Sequence, residues 1–216
     1  MPSSKNPKKT NKVRALILAT AARHFAEKGF SGARVDEIAA DAGVNKATLY
    51  YQVGKKEALY DAVFSHAFRA CFEIVKQAVE QQDPPTDKLR TYVTCLGNVM
   101  AHDYPHMANL IMREVASGGT HLSHEALGYM AAIRSILGDI LALGQQQGLF
   151  REANVFMVHM MVVGSLNFIV AGEGIRHKFM QAQLDNCYDM EKLVIEDATE
   201  DIANMLIHSL LKCPSS

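Results

Sequence analysis

Two short helical patterns on either side of a glycine, at residues 35–42 and 45–52, leave this chain few folds to choose from. Val35, Ile38, Ala39 and Ala42 recur at intervals of three and four, one face of an amphipathic helix. Gly43 can adopt the left-handed backbone that ends such a helix in a tight turn. Asn45 then suits the cap of a second helix, because its side-chain oxygen can accept the free backbone N–H of Thr48. That helix carries Lys46, Thr48, Tyr50, Tyr51 and Gln52, with Leu49 as its one large apolar anchor. A polar helix held by one anchor against an apolar one is a helix-turn-helix, and the polar helix enters a DNA groove. It is so short that its N-terminal end must face the bases, which makes Lys46, Ala47 and Thr48 the candidate base readers.

From Gly29-Phe30, and without a gap from Val35 to Leu59, the sequence resembles the TetR/AcrR family of bacterial one-component transcription regulators. The stretch Leu49-Tyr50-Tyr51-Gln52-Val53-Gly54-Lys55-Lys56-Glu57-Ala58-Leu59 carries most of the likeness. Gln52 and Val53 stand where that signature has His-Phe, Lys55 where it has Ser, and Arg34 where Ser or Thr caps the first motif helix. Gln52 changes what the end of the recognition helix can read, so no relative's operator sequence carries over. The resemblance implies that Tyr50 and Tyr51 contact phosphates and sugars and that Lys56 grips a phosphate. Lys56 also has an argument of its own. It opens a helix after Gly54, where free N–H groups and the helix dipole attract an anion. Lys55 and Arg34 add charge, and Asn45 and Gln52 complete the candidate DNA-contacting set.

Charge supports a polyanion at one end. Residues 1–60 hold eleven Lys and Arg against five Asp and Glu, and the remainder holds eleven against eighteen, although the net charge is only −1. A basic head on an acidic body suits a protein that presents that head to DNA. Residues 1–11 are polar and basic with two prolines, and read as a disordered arm. The four cysteines, Cys71, Cys95, Cys187 and Cys213, form no CxxC pair and no secretory signal precedes them, which points to a reducing cytoplasm. Residues 153–172 lack formal charge and touch the length of a membrane span. Asn154, His159, Ser165 and Asn167 interrupt them, however, so a helix buried on two sides is expected instead, with no membrane partner.

Helical periodicity runs through the rest of the chain, with breaks at 82–86, 117–119 and Gly148, and no alternating strand pattern. The expected fold is all-α with about nine helices. Residues 12–72 form the helix-turn-helix domain, residues 73–216 a ligand-binding and dimerisation domain, and a long helix near 55–81 is shared by both. In the resemblance the second domain encloses an effector pocket. Met100, Met107, Met112, Met130, Met157, Met160 and Met161 could adapt a helical core to an apolar guest. The polar residues interleaved with them are Asn98, His102, His106, Arg113, Glu114, Tyr129, Arg134 and Asn167. From these sets the candidate ligand contacts are Asn98, His102, His106, Met107, Arg113, Met130, Arg134 and Asn167. Arg113 and Glu114 are neighbours on one helix and cannot both point inward.

The two C-terminal helices carry more apolar surface than one core can cover, so Met157, Met161, Phe168, Ile202, Met205 and Leu206 are the candidate dimer interface. His121, His124 and Glu125 have a spacing that could hold a metal, but no supporting shell accompanies them, and no metal or cofactor is expected. No nucleophile elbow, phosphate loop or zinc-protease helix marks an enzyme. The function expected is sequence-specific binding of a homodimer to a double-stranded DNA operator, with repression relieved by a small, largely apolar effector. A ligand-independent regulator or activator is the alternative, and an enzyme with a vestigial helix-turn-helix is a remote one.

Overall fold

The computed structural model describes residues 7–182 and 194–212, with side chains from residue 11 onward. Its helices are α1 (Pro7–Gly32), α2 (Val35–Asp41), α3 (Lys46–Val53), α4 (Lys56–Glu80), α5 (Pro85–Asn98), α6 (Met107–Ala116), α7 (His124–Gln146), α8 (Val155–Ala171), α9 (Glu173–Gln181) and α10 (Ile195–Leu210). One π turn, Val99–Asp103, extends α5. Among the described residues the fold is all-α, with one helix more than the periodicity suggested. The extra one is α9, which buries none of its residues and so carries no inward stripe to betray it. It follows α8 at a bend of 56°.

Of the arm expected over residues 1–11, residues 7–11 are helical instead. The helix already begins at Pro7, a residue whose fixed φ and missing N–H suit a first helical turn; residues 1–6 lie outside the described residues. At its other end α1 is broken at Gly29, where φ is +71°. A side chain there would strain the backbone, and a Cβ would stand 3.3 Å from the Arg113 guanidinium.

The first three helices close around Ile17, Ala21, Phe25, Ile38, Leu49 and Leu59, all but fully buried. His24 ties α1 to the end of α2. Its Nε2 lies 2.8 Å from Asp41 Oδ2, and Arg23 donates to the same oxygen at 2.9 Å. Those two partners, His24 first, hold the Asp41 carboxyl below the usual carboxylate range.

Helix α4 belongs to both halves. Leu59, Tyr60 and Val63 join the helix-turn-helix core, while Phe68, Cys71, Val75 and Val79 are buried in the second half, where α4 packs on α5 and α7. Gly97 lets α5 and α10 come close, since a Cβ there would stand 2.3 Å from Thr199 Cγ2. By length and composition α7 could cross a membrane, but here it lies against α4, α5 and α8.

Candidate nucleic-acid interface and effector cavity

The recognition helix is built as its residues dictate. Asn45 caps α3, accepting the Thr48 backbone N–H on Oδ1 at 2.7 Å. Leu49 is fully buried and Val53 nearly so, which leaves the other face of α3 to solvent. Lys46, Ala47, Tyr50 and Tyr51 are exposed on that face, and Thr48 and Gln52 are half-buried. Lys46 pairs with Asp36 at 2.8 Å and lies 5.7 Å from the Tyr50 ring centre. A base or phosphate must therefore compete with Asp36 for it. Replacing Asn45 by Ala should cost about 1 kcal/mol, the usual worth of such a cap. Thermal melting checks this, and an unchanged melting point would show that the cap contributes little.

The flanking cations are placed unequally. Arg34 precedes α2 without capping it and is well exposed, with Glu37 at 4.0 Å. Lys55 is exposed at the start of α4. Lys56, in the first turn of α4, is half-buried; its Nζ lies 4.9 Å from the Phe30 ring centre and donates to the Ser31 carbonyl at 3.3 Å. The ammonium is thus held near a helix start, where an anion is already attracted.

A cavity of about 90 Å³ lies among α4, α5, the π turn, α6, α7 and α8. Its walls are almost wholly apolar and include Phe68, Cys71, Val99, Met100, Met107, Ile111, Met130, Ile133, Met160 and Val163. Of the eight expected ligand contacts, Met107, Met130 and Asn167 line it. Asn98 and Arg134 are exposed outside it, and His102 is occupied at the surface by Glu196 at 3.0 Å. His106 lines a second cavity of about 230 Å³ between α1, α4 and the turn into α6, which Met107 also borders.

Arg113 points the other way altogether. Its Nε and Nη2 donate to the Ala26 and Glu27 carbonyls of α1, each at 2.8 Å. Its neighbour Glu114 is the one that turns inward, 3% exposed, accepting from the Tyr60 hydroxyl at 2.6 Å and from the His121 backbone N–H at 3.2 Å. Desolvation and Glu114 push the Tyr60 phenol well above its ordinary range. The His121 ring lies tilted against Phe30, 4.3 Å between centres, and its Nδ1 is 3.2 Å from Glu114 Oε1. Adjacent helical residues point about 100° apart, which is why Arg113 and Glu114 have different partners.

Sequence reasoning missed His159, Tyr104, Phe68 and Cys71 as cavity residues. The signal for His159 was present, a lone imidazole in an uncharged run, but periodicity does not say which side of a two-sided helix meets a void. Burial, with the Arg134 charge nearby, holds the His159 pKa down at about 4. Neutral His159 therefore favours the folded state. That contribution is complete above the ordinary pKa near 6.5 and is lost as pH falls toward 4. His159→Gln should flatten the fall in melting temperature over that interval, leaving what His66 and His106 contribute, whose pKa values burial also lowers. An identical slope in the variant would remove His159 from the account.

A second apolar face of α8 lies outside the cavity lining. Met157, Met161 and Phe168 are 56%, 57% and 69% exposed, and Met205 on α10 is 65% exposed. Ile202 and Leu206, expected beside them, are instead buried at 9% and 5%. They are covered within the same chain, where α10 packs on α5 and α8, so they have almost no area to offer a partner. The face that remains is α8 with Met205.

Comparison with known proteins settles the family. The model for bacterial regulatory proteins of the tetR family matches residues 17–63, and the tetracyclin repressor-like C-terminal domain matches residues 85–193, just over half of the chain. The chain belongs to the TetR family. It is thus a DNA-binding transcription regulator with the helix-turn-helix described above. It is 27% identical to the HTH-type transcriptional repressor NicS of Pseudomonas putida over 66% of this chain and 68% of that one. With the HTH-type transcriptional regulator RutR of Escherichia coli K12 it shares 32% identity over 54% of each, so it spans about half the length of that relative. Among solved TetR-fold structures, AibR in complex with isovaleryl coenzyme A and operator DNA superposes with a TM-score of 0.64, at 20% identity, over 92% of this chain and 98% of that one.

Proposed function

We propose that this TetR-family chain represses transcription as a cytoplasmic homodimer on a palindromic operator and is released by a small, largely apolar effector. The observation that carries the reading is the double attachment of α6. Its Met107 and Ile111 line the cavity, and its Arg113 and Glu114 bond α1 and α4 of the helix-turn-helix half. A guest that displaces α6 or α4 must therefore move the recognition helices. In a two-fold dimer those helices address half-sites about 34–36 Å apart, so a change in their separation lowers affinity. The repressor name of NicS accords with repression, and AibR, which shares the fold, is seen bound to operator DNA. Residues 12–72 are assigned to DNA and 73–216 to effector and dimer.

The test is selection of bound sequences from a randomised duplex library, followed by titration of the selected site with apolar small molecules. Palindromic sites whose binding is weakened by a guest support repression with release. Binding that no guest weakens favours the ligand-independent alternative. Lys56→Glu should weaken binding to all duplexes alike, by tenfold or more, and make the salt dependence shallower, because phosphate contacts carry affinity without sequence information. Thr48 variants should change which sequences are selected. Normal binding by Lys56→Glu at about 0.15 M salt would remove Lys56 from the interface.

A further inference from the structure

Asn167 is 6% exposed and lies against the cavity. Its Nδ2 donates to the Val163 carbonyl at 2.6 Å, which fixes the orientation of the amide, since the flipped form would set oxygen against oxygen. Its Oδ1 is then a buried acceptor without a partner among the described residues. Buried polar atoms are nearly always satisfied, and an orphan in a cavity wall points to what the cavity holds. We propose that the cavity takes a small neutral molecule of about single-ring size, with an apolar body and one hydroxyl or amide N–H donated to Asn167 Oδ1. This rests on the reading of the cavity as an effector site and adds the chemistry of its guest.

Charge and size narrow the class. No Lys, Arg, Asp or Glu lines the cavity among the described residues. Tyr92 and His159 bond each other at 3.0 Å, and burial keeps that imidazole neutral. A carboxylate would enter apolar walls with no cation to meet it, and Asn167 Oδ1 would repel it. The volume, about 90 Å³, is below the roughly 150 Å³ of an engineered cavity that admits benzene. Met100, Met107, Met130 and Met160 in the walls can yield enough for a single ring.

The experiment uses the full chain with three probes of one shape: benzyl alcohol, toluene and benzoate, titrated at pH 7 by calorimetry. Benzyl alcohol should bind about tenfold more tightly than toluene, the worth of one hydrogen bond, and more tightly than benzoate. Asn167→Leu should raise the melting temperature, keep toluene binding, and erase the advantage of the alcohol. Tighter binding of benzoate, no binding of any probe to the wild type, or an alcohol advantage retained in Asn167→Leu would each overturn the proposal. The wild-type comparison decides even if the variant does not fold. Operator release is read separately. Probes that bind in the expected order without releasing DNA uphold the guest chemistry and sink the effector reading. Release by other molecules without that order does the reverse.

Discussion

Phe168→Glu should yield a folded monomer that has lost operator binding by a hundredfold or more, although its helix-turn-helix is untouched. Phe168 is 69% exposed on α8, so the substitution removes no contact from the subunit's own core. Together with Met157, Met161 and Met205 it forms an apolar face of a kind that soluble monomers seldom leave bare. Two copies of α8 and of α10 can cover one another as a four-helix bundle, and the two-fold axis so made matches a palindrome. A buried carboxylate at that seam would lack a partner, and two of them would repel. Sedimentation and fluorescence anisotropy with the selected duplex measure the two effects. A wild type that is monomeric at micromolar concentration would remove the dimer and the two-half-site mechanism with it. Ile202→Glu offers the contrast. Ile202 is buried against its own chain, so that variant should lose its fold before its partner.

Leu49→Ala should lower stability by about 2–5 kcal/mol and abolish DNA binding. Leu49 is fully buried and is the large apolar residue that fixes α3 to its neighbours. Its removal leaves a void under a helix only eight residues long, too short to hold itself together in water. The cavity and α8 are formed by other residues, so dimerisation and probe binding should survive. Circular dichroism, the duplex assay and calorimetry check the three parts. Retained operator affinity would mean that the anchoring of α3 lies elsewhere.

These two residues also mark where sequence reading succeeds and where it stops. Leu49 and its setting were legible because a cap, a glycine turn and a lone anchor are local signals, each acting within about four residues. The same holds for Asn45, whose bond to Thr48 follows from helix geometry alone. α8 was legible only as an excess of apolar residues. The pattern could not divide that excess between the cavity side, with His159 and Asn167, and the bare side, with Met157, Met161 and Phe168. α10 was harder, because Ile202, Met205 and Leu206 look alike in sequence and differ only in what the rest of the chain covers.

By itself, then, the sequence determined the all-helical class, the helix-turn-helix and its exposed polar face, since periodicity, capping and turn chemistry are set by near neighbours. Tertiary structure decided which polar residues reach the cavity. Asn98, His102 and Arg134 fall outside it, and Arg113 was drawn to α1 while Glu114 turned inward to Tyr60. Such choices depend on where helices distant in the chain come to rest. Only when α4, α6 and α8 meet does a void exist, and only then is Asn167 Oδ1 left, among the described residues, without a partner.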